Sequence, residues 1–372
     1  MQKPVWNACK KILCIRADNM GDLIMTTPAL KALKETFLCH ITVLTSTMAQ
    51  SIVGYIPVID EVIIRDLPWI RSNTAVSGAD LLELATQLRS YQFDAAIIFT
   101  VYSQSALPAA LLTMMAGIPI RLAYSRENPY DLLTHWLPDK EPYHFVQHQV
   151  KRDLALVAVT GAVTNEDRLL IAVSGKDRQN MQAKLQQASI DTSNGYLIFH
   201  PGVSEEKRKY PLPQWIELGQ LVSEMGLPIL LTGTAKEKEL TSAIAAGVGD
   251  KATDVAGLFT TGEFIALTAG AAGVVSVNTA TIHIAAACET PVVVLYALTN
   301  PQHTPWKVCG RIFPYNVPDG LQSKNEVIGY VRNYRMIQQA ALPQPAAIAQ
   351  ALESLLQQKN DDEYIAPDTL IL

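Results

Sequence analysis

The sequence predicts an α/β protein of two domains, each a parallel sheet with helices on both faces, and three observations carry that expectation. Short apolar runs rich in β-branched residues recur along the chain, and each is followed by a longer stretch with helical character. The runs are continuously apolar rather than alternating, which marks strands covered on both faces. The length of 372 residues exceeds one ordinary core, and 49% apolar against 17% charged residues is ample for two.

The elements follow in order. In the first half the strand-like runs are Ile12 to Ile15, Ile41 to Leu44 and Ala95 to Phe99. In the second half they are Leu197 to Phe199, Pro228 to Leu231, Val274 to Val277 and Val292 to Leu295. After the first run come a polar turn with Gly21 and a helix carrying Leu23, Ile24, Leu30 and Leu33. His148 to Val159 reads as a helix between the halves. Composition then shifts to a polar segment through Gly175 and the Gln-rich MQAKLQQASIDTSNG. A boundary there gives an N-terminal domain, 1–173, and a C-terminal domain, 174–345, with 346–372 as terminal helix and tail. Ala341 to Leu356 opens with prolines and continues at helical spacing. The closing KNDDEYIAPDTLIL is charged and then extended, the composition of a loosely held tail.

Thirty basic against thirty-five acidic side chains give a net charge of −5, so no global positive field exists to hold a nucleic acid. The first residues lack the apolar core of a secretory signal, and no run of about 18 apolar residues appears. A cytoplasmic protein is expected. The five cysteines are odd in number, scattered and without a CxxC pair, so neither a metal nor a redox centre is expected. Cys14 and Cys288 fall in apolar segments and read as small hydrophobes.

Three strand-turn-helix segments place polar residues at the carboxyl edge of a sheet, where open α/β folds bind ligands. In KILCIRADNMGDLIMTTPALKAL, Asp22 falls on the first helical turn beside Asn19 and Gly21. The helix dipole and free amides keep a carboxylate ionised there, as an N-terminal cap or as a proton acceptor. In FHPGVSEEKRKYPLPQWIELGQLV, a Pro201-Gly202 turn precedes Lys207, Arg208 and Lys209 and a helix starting near Pro213. Such a loop suits a diphosphate, and equally a solvated strip offsetting Glu205 and Glu206. In GVVSVNTATIHIAAACETPVVVLYALTNP, Asn278 to Thr281 form a turn small enough for a phosphate to approach helix-start amides. Thr279 and Thr281 add hydroxyls, and His283 follows as a packing or a catalytic residue.

These segments resemble the heptosyltransferase-type glycosyltransferases, glycosyltransferase family 9. Arg16 to Leu30 is similar to the family's opening motif of polar turn, Gly-Asp, apolar pair and Thr/Leu-Pro-Ala-Leu helix. The second segment resembles His-Pro-Gly-(Ala/Val)-Ser, then Lys-x-(Trp/Tyr)-Pro and a Trp, with Tyr210 and Trp215 in the aromatic places. The third resembles Asp-(Ser/Thr)-Gly-x-x-His, then Pro-Val-Val-x-Leu-(Phe/Tyr)-Gly and Thr-x-Pro, with Thr299 retained. It departs at Asn278 for aspartate, Ala280 for glycine and Ala297 for glycine. Phe93-Asp94, Gly117 to Ala123 and His148 to Gly161 fit in order, so the likeness runs from Lys11 to about Leu356.

The resemblance implies the glycosyltransferase B fold, two Rossmann-like domains facing across a cleft, the N-terminal one for the acceptor and the C-terminal one for a nucleotide sugar, ADP-heptose. It implies Asp22 as general base, with Asn19 and Gly21 on the acceptor side. Lys207, Arg208, Lys209, Asn278, Thr279, Ala280 and His283 would bind the donor, Arg208 standing where the family has a lysine. Transfer with inversion needs no metal or other cofactor. A glycolipid or oligosaccharide acceptor of lipopolysaccharide-core type is implied, and a lipid-linked one brings the N-terminal domain to the inner membrane face, where Pro68 to Arg71 (in LPWIRS) offers apolar and basic contacts, unless Trp69 is buried. Two other readings share the architecture: a nucleotide-sugar 2-epimerase, which needs several acid/base carboxylates, and a non-catalytic nucleotide-sugar-binding homologue, motivated by Asn278 and Ala280.

Overall fold

The computed structural model describes residues 6–71, 75–357 and 364–372. Ser72 of LPWIRS and residues 358–363 of the charged stretch lie outside the described residues. The chain divides into two units, Met1–Leu170 and Ile171–Leu372.

The first unit holds β1 (Lys11–Ile15), α1 (Met20–Phe37), β2 (His40–Thr45), β3 (Glu61–Ile64), α2 (Gly78–Ser90), β4 (Ala95–Ile98), α3 (Leu107–Met115), β5 (Ile120–Ser125), β6 (His135–Pro138) and α4 (Gln149–Ala158). All pairings are parallel and the strand order is β3-β2-β1-β4-β5-β6. The order reverses between β1 and β4, where Ile12 stands beside Ala95. Leu13, Ile15, Leu44, Ala96 and Ile98 pack there against Leu84 and Leu88 of α2 and Ala110 and Leu112 of α3. Each buried leucine or isoleucine among them stabilises the fold by about 1.5–3 kcal/mol.

Helix α1 carries Pro28 in its interior, which leaves the Ile24 carbonyl without its usual amide donor. The Thr27 hydroxyl donates to that carbonyl at 2.7 Å, and the same oxygen accepts the Leu170 amide at 2.9 Å. Its neighbour Thr26 donates at 2.8 Å to Asp153 of α4, which fixes α4 against α1. At the opposite edge of the sheet, Asp94 accepts the amides of Lys10 and Lys11 and sets where β1 begins.

The second unit holds α5 (Gly175–Gln187), β7 (Leu197–His200), α6 (Leu212–Ser223), β8 (Ile229–Leu231), α7 (Lys238–Val248), β9 (Ala252–Asp254), α8 (Thr261–Gly270), β10 (Gly273–Val277), α9 (Ala280–Ala287), β11 (Val292–Ala297), β12 (Gly310–Tyr315), α10 (Glu326–Tyr334) and α11 (Pro345–Gln357). Its sheet is again parallel, in the order β12-β11-β10-β7-β8-β9, with the reversal between β10 and β7. Read from either end, both sheets have the strand order of a doubly wound nucleotide-binding fold.

The first part of the Gln-rich stretch lies in α5, started by Ser174, whose hydroxyl accepts the Asp177 amide, and held by buried Met181 and Leu185. One expectation from composition is corrected. The tail is not loose over 364–372: Tyr364 bridges to Cys309, Ile371 bridges to Met336, and Leu370 is fully buried. Helix α11 seats Ile348, Ala349, Leu352 and Leu355 in the second core. No helix among the described residues is long and apolar enough to cross a membrane.

Candidate active site

In the first unit the chain leaves β1 at Arg16, which is 1% exposed. Its Nη2 lies 3.0 Å from Asp22 Oδ1 and its Nε 3.3 Å from Asp18 Oδ2. Burial works against the guanidinium charge, but the carboxylates of Asp18, Asp22 and Asp153 outweigh it and hold the proton more firmly than usual. Asp22 is the third residue of α1, and its Oδ2 accepts the amide of Asn19 at 3.3 Å. Gly21 and Asp22 are buried and Asn19 is exposed. Asp22 therefore caps its helix and faces a buried cation at once.

Two carboxylates that the sequence reading did not single out complete this cluster. Asp18 is pushed up to about 6, first by burial and then by the charge of Asp22, against Arg16 and a hydrogen bond from Gln104. Gln104 Nε2 donates to Asp18 Oδ1 at 2.6 Å while its Oε1 accepts the Val101 amide at 3.3 Å, so the backbone donor fixes which way the amide faces. Asp153 is likewise raised by burial to about 6, with Thr26 and Gln149 donating to it. The available sequence signal for Asp18 was an acid in the same turn as Asp22. Asp153 had none, since it reaches Thr26 from a helix 127 residues away.

Of the two readings of Pro68 to Arg71 the structure shows burial: Trp69 and Ile70 are partly buried against the first core. They line a cavity of about 220 Å³ together with Asp18 and Gln104, outside the carboxyl ends of β1 and β4.

In the second unit, β7 ends at His200 and the Pro201-Gly202 turn follows. A Cβ at 202 would overlap the Glu237 carboxylate, so any other residue there has to displace that side chain. Glu237 is itself held by the amide and hydroxyl of Thr234. His200 lies 3.0 Å from Thr232 Oγ1, and burial depresses its imidazole to about 4 against the opposing charge of Glu237.

The basic loop is not used uniformly. Arg208 Nη1 donates to the Asn278 carbonyl at 3.0 Å, which brings the second and third segments together. Lys207 pairs with Glu205 at 3.0 Å and Lys209 with Glu206 at 2.8 Å, and Arg208 Nη2 also lies 3.4 Å from Glu205. Tyr315 donates to the Arg208 carbonyl at 2.6 Å. Tyr210 and Trp215 are buried edge to face at 5.6 Å and anchor the loop to the core.

Asn278 explains its own departure from aspartate. Its Nδ2 donates to the Ala297 carbonyl and to Thr299 Oγ1, each at 3.2 Å, and its Oδ1 accepts the Ala297 amide at 3.2 Å. A carboxylate has no hydrogen to donate to Ala297. Thr279 caps α9, and its buried Oγ1 finds no partner among the described residues. A buried hydroxyl at the positive end of a helix is suited to an anionic oxygen. Ala280 opens α9 and His283 is 4% exposed within it. Among the described residues no group of three or more His, Cys, Asp or Glu is arranged as a metal site. Burial raises the Cys14 thiol well above its usual range and Cys288 to about 12, the behaviour of packing residues.

Comparison with known proteins follows the same lines. The lipooligosaccharide heptosyltransferase 2 of Haemophilus influenzae is 24% identical over 311 residues, covering 79% of this chain and 85% of that protein. Among solved structures, a glycosyl transferase family 9 protein from Veillonella parvula superposes with TM-score 0.75 at 19% identity, covering 94% of this chain and 98% of that one. The Escherichia coli ADP-heptose lps heptosyltransferase II superposes with TM-score 0.70 at 22% identity, covering 94% and 99%. The family model described as glycosyltransferase family 9 (heptosyltransferase) matches residues 81–326, well over half of the chain. With that match and with two doubly wound units of this order, the chain belongs to glycosyltransferase family 9 and is a glycosyltransferase.

Proposed function

We propose that the protein moves a heptose-type sugar from a nucleotide donor, ADP-heptose, to a hydroxyl of a lipopolysaccharide-core acceptor, with inversion. The sugar and the pathway are supported by the printed names of the relatives, a lipooligosaccharide heptosyltransferase and an ADP-heptose enzyme. In the reaction the acceptor oxygen forms a bond to the anomeric carbon and its proton passes to the Asp22 carboxylate. The bond from that carbon to the diphosphate breaks, and its electron pair leaves with the nucleoside diphosphate. Asn19 and Gly21 shape the turn on the acceptor side. Arg208, the Thr279 hydroxyl and the start of α9 receive the negative charge, with Lys207, Lys209, Asn278, Ala280 and His283 around them, so no metal is required for that role.

The observation that carries this reading is the chemical opposition of the two strand-order reversals. One presents a carboxylate paired with a buried guanidinium on a helix start, and the other a guanidinium bonded to the turn that opens a helix. Arg16 Nη2 orients the Asp22 carboxylate from 3.0 Å, and the proton of the acceptor hydroxyl passes to that carboxylate. The acceptor is taken as a glycolipid or oligosaccharide, met at a membrane surface when it is lipid-linked.

The test uses Asp22→Ala with ADP-, GDP- and UDP-sugars. Transfer falls by about 10²–10⁴-fold, while the thermal shift caused by the ADP-sugar stays as in the unmodified protein. Full transfer by the variant removes the base; turnover of donor with no acceptor present favours an epimerase.

A further inference from the structure

The cavity outside β1 and β4 has a lining that says more about the acceptor than family membership does. Its polar lining includes Asp18, Gln104 and Ser103, and its apolar lining includes Trp69, Ile70 and Pro108. At about 220 Å³ it is smaller than the roughly 300–1,000 Å³ of sites for drug-sized ligands, which suits a single ring. No lysine, arginine or histidine is among its described lining residues, and Asp18 is the one charged residue there. The cation behind it, Arg16, is 1% exposed and already engaged by Asp18 and Asp22. At Ser105, also in the lining, the hydroxyl donates to Glu127 at 2.9 Å and brings a second carboxylate near. An incoming anion meets the negative charge of Asp18 in the lining, whereas sugar hydroxyls meet a carboxylate held in place by Gln104.

We propose that this cavity is the subsite for the acceptor's terminal residue and that it selects a neutral glycosyl ring over an acidic one, Trp69 taking the ring's apolar face and Asp18 its hydroxyls. The proposal rests on the glycosyltransferase reading above, and Asp18 serves in it as a specificity-determining residue. A carboxylate aimed at hydroxyls rejects ligands by charge as well as accepting them by hydrogen bonding, which is the asymmetry a selective site needs.

The test is saturation-transfer NMR on the full chain with two probes at equal concentration, methyl α-D-mannopyranoside and the methyl glycoside of N-acetylneuraminic acid. In the unmodified protein the neutral ring is saturated at least about fivefold more strongly than the acidic one, a difference of about 1 kcal/mol. Asp18→Asn brings that ratio towards one, and Trp69→Ala weakens the neutral probe. Equal saturation of both probes by the unmodified protein, or no saturation of the neutral one, overturns the proposal without any variant having to fold. A ratio unchanged in folded Asp18→Asn overturns it as well. Thermal shift by ADP-sugar, measured in parallel, keeps the two readings apart: a shift without ring discrimination sinks this proposal alone, and ring discrimination without a shift sinks the donor assignment alone.

Discussion

At the strand-order reversal of the first unit, Arg16 is buried at 1% exposure beneath Asp18 and Asp22; at the matching reversal of the second, Arg208 keeps 26% of its side chain exposed and reaches a backbone carbonyl. The same topology thus supports two arginines with different work. Arg16 neutralises carboxylates inside the protein, so its removal is a matter of folding. Arg208 bonds the Asn278 carbonyl just ahead of α9, so under the proposed donor role its removal is a matter of ligand affinity. Position in a doubly wound sheet decides where a ligand sits, and the side chains brought there decide its charge.

The largest expected effect lies in the first unit. Arg16→Met leaves Asp18, Asp22 and Asp153 without their central cation, and breaking a buried pair in this way costs about 3–5 kcal/mol. Calorimetry should show the first unit melting earlier while the second keeps its transition. Equal loss in both units breaks the comparison. Next in size, Arg208→Ala should weaken ADP binding by about 10–150-fold, the worth of a charge-assisted hydrogen bond of about 1.5–3 kcal/mol, with little change in melting. Isothermal titration measures the affinity, and a large drop in Tm with intact affinity would give Arg208 the role assigned to Arg16.

Asn278→Asp restores the residue usual in the family but removes the donor that faces the Ala297 carbonyl. It should destabilise the second unit by about 1–3 kcal/mol, the cost of an unsatisfied buried acceptor, read as a fall in that unit's Tm. An unchanged Tm would show that the link from β10 to β11 contributes nothing.

The smallest effect is a divergence with pH. Asp18 and Asp153 have folded values of about 6 against ordinary values of 3.8, so between pH 7 and pH 5 the folded first unit takes up protons that the unfolded chain does not. It gains about 1 kcal/mol per group as pH falls through that window. His200 has a folded value of about 4 against 6.5, so there the unfolded chain takes up the proton first. The second unit loses about 2 kcal/mol over the same window. Hydrogen exchange resolved by unit at pH 7 and pH 5 follows both, and parallel movement of the two units would contradict the opposed burial of acids and imidazole.

Continuous apolar runs made the central strands legible, because a strand covered on both faces needs no alternation: the runs at 12–15, 41–44, 197–199, 274–277 and 292–295 all lie within strands. The strands that composition did not single out lie at or near the sheet edges. β3 is largely half-exposed, β9 has three residues, and β6 and β12 include Pro138 and Pro314, which only an edge tolerates. Asp22, Arg208 and Thr279 stood out in the sequence because each lies in a short turn between a strand and a helix. Asp153 and Gln104 did not, since they reach Thr26 and Asp18 from distant segments.

The sequence by itself determined that there are two parallel sheets and which turns end their central strands, for these follow from local apolarity and from the turn and helix-start residues within each segment. Only the tertiary structure decided that Arg16 gathers three carboxylates, that Arg208 rather than Lys207 or Lys209 meets the Asn278 turn, and that Trp69 lines a cavity. Those are facts of distance and burial between segments far apart in the chain, and the free energy of a charge depends on what surrounds it more than on its neighbours in sequence.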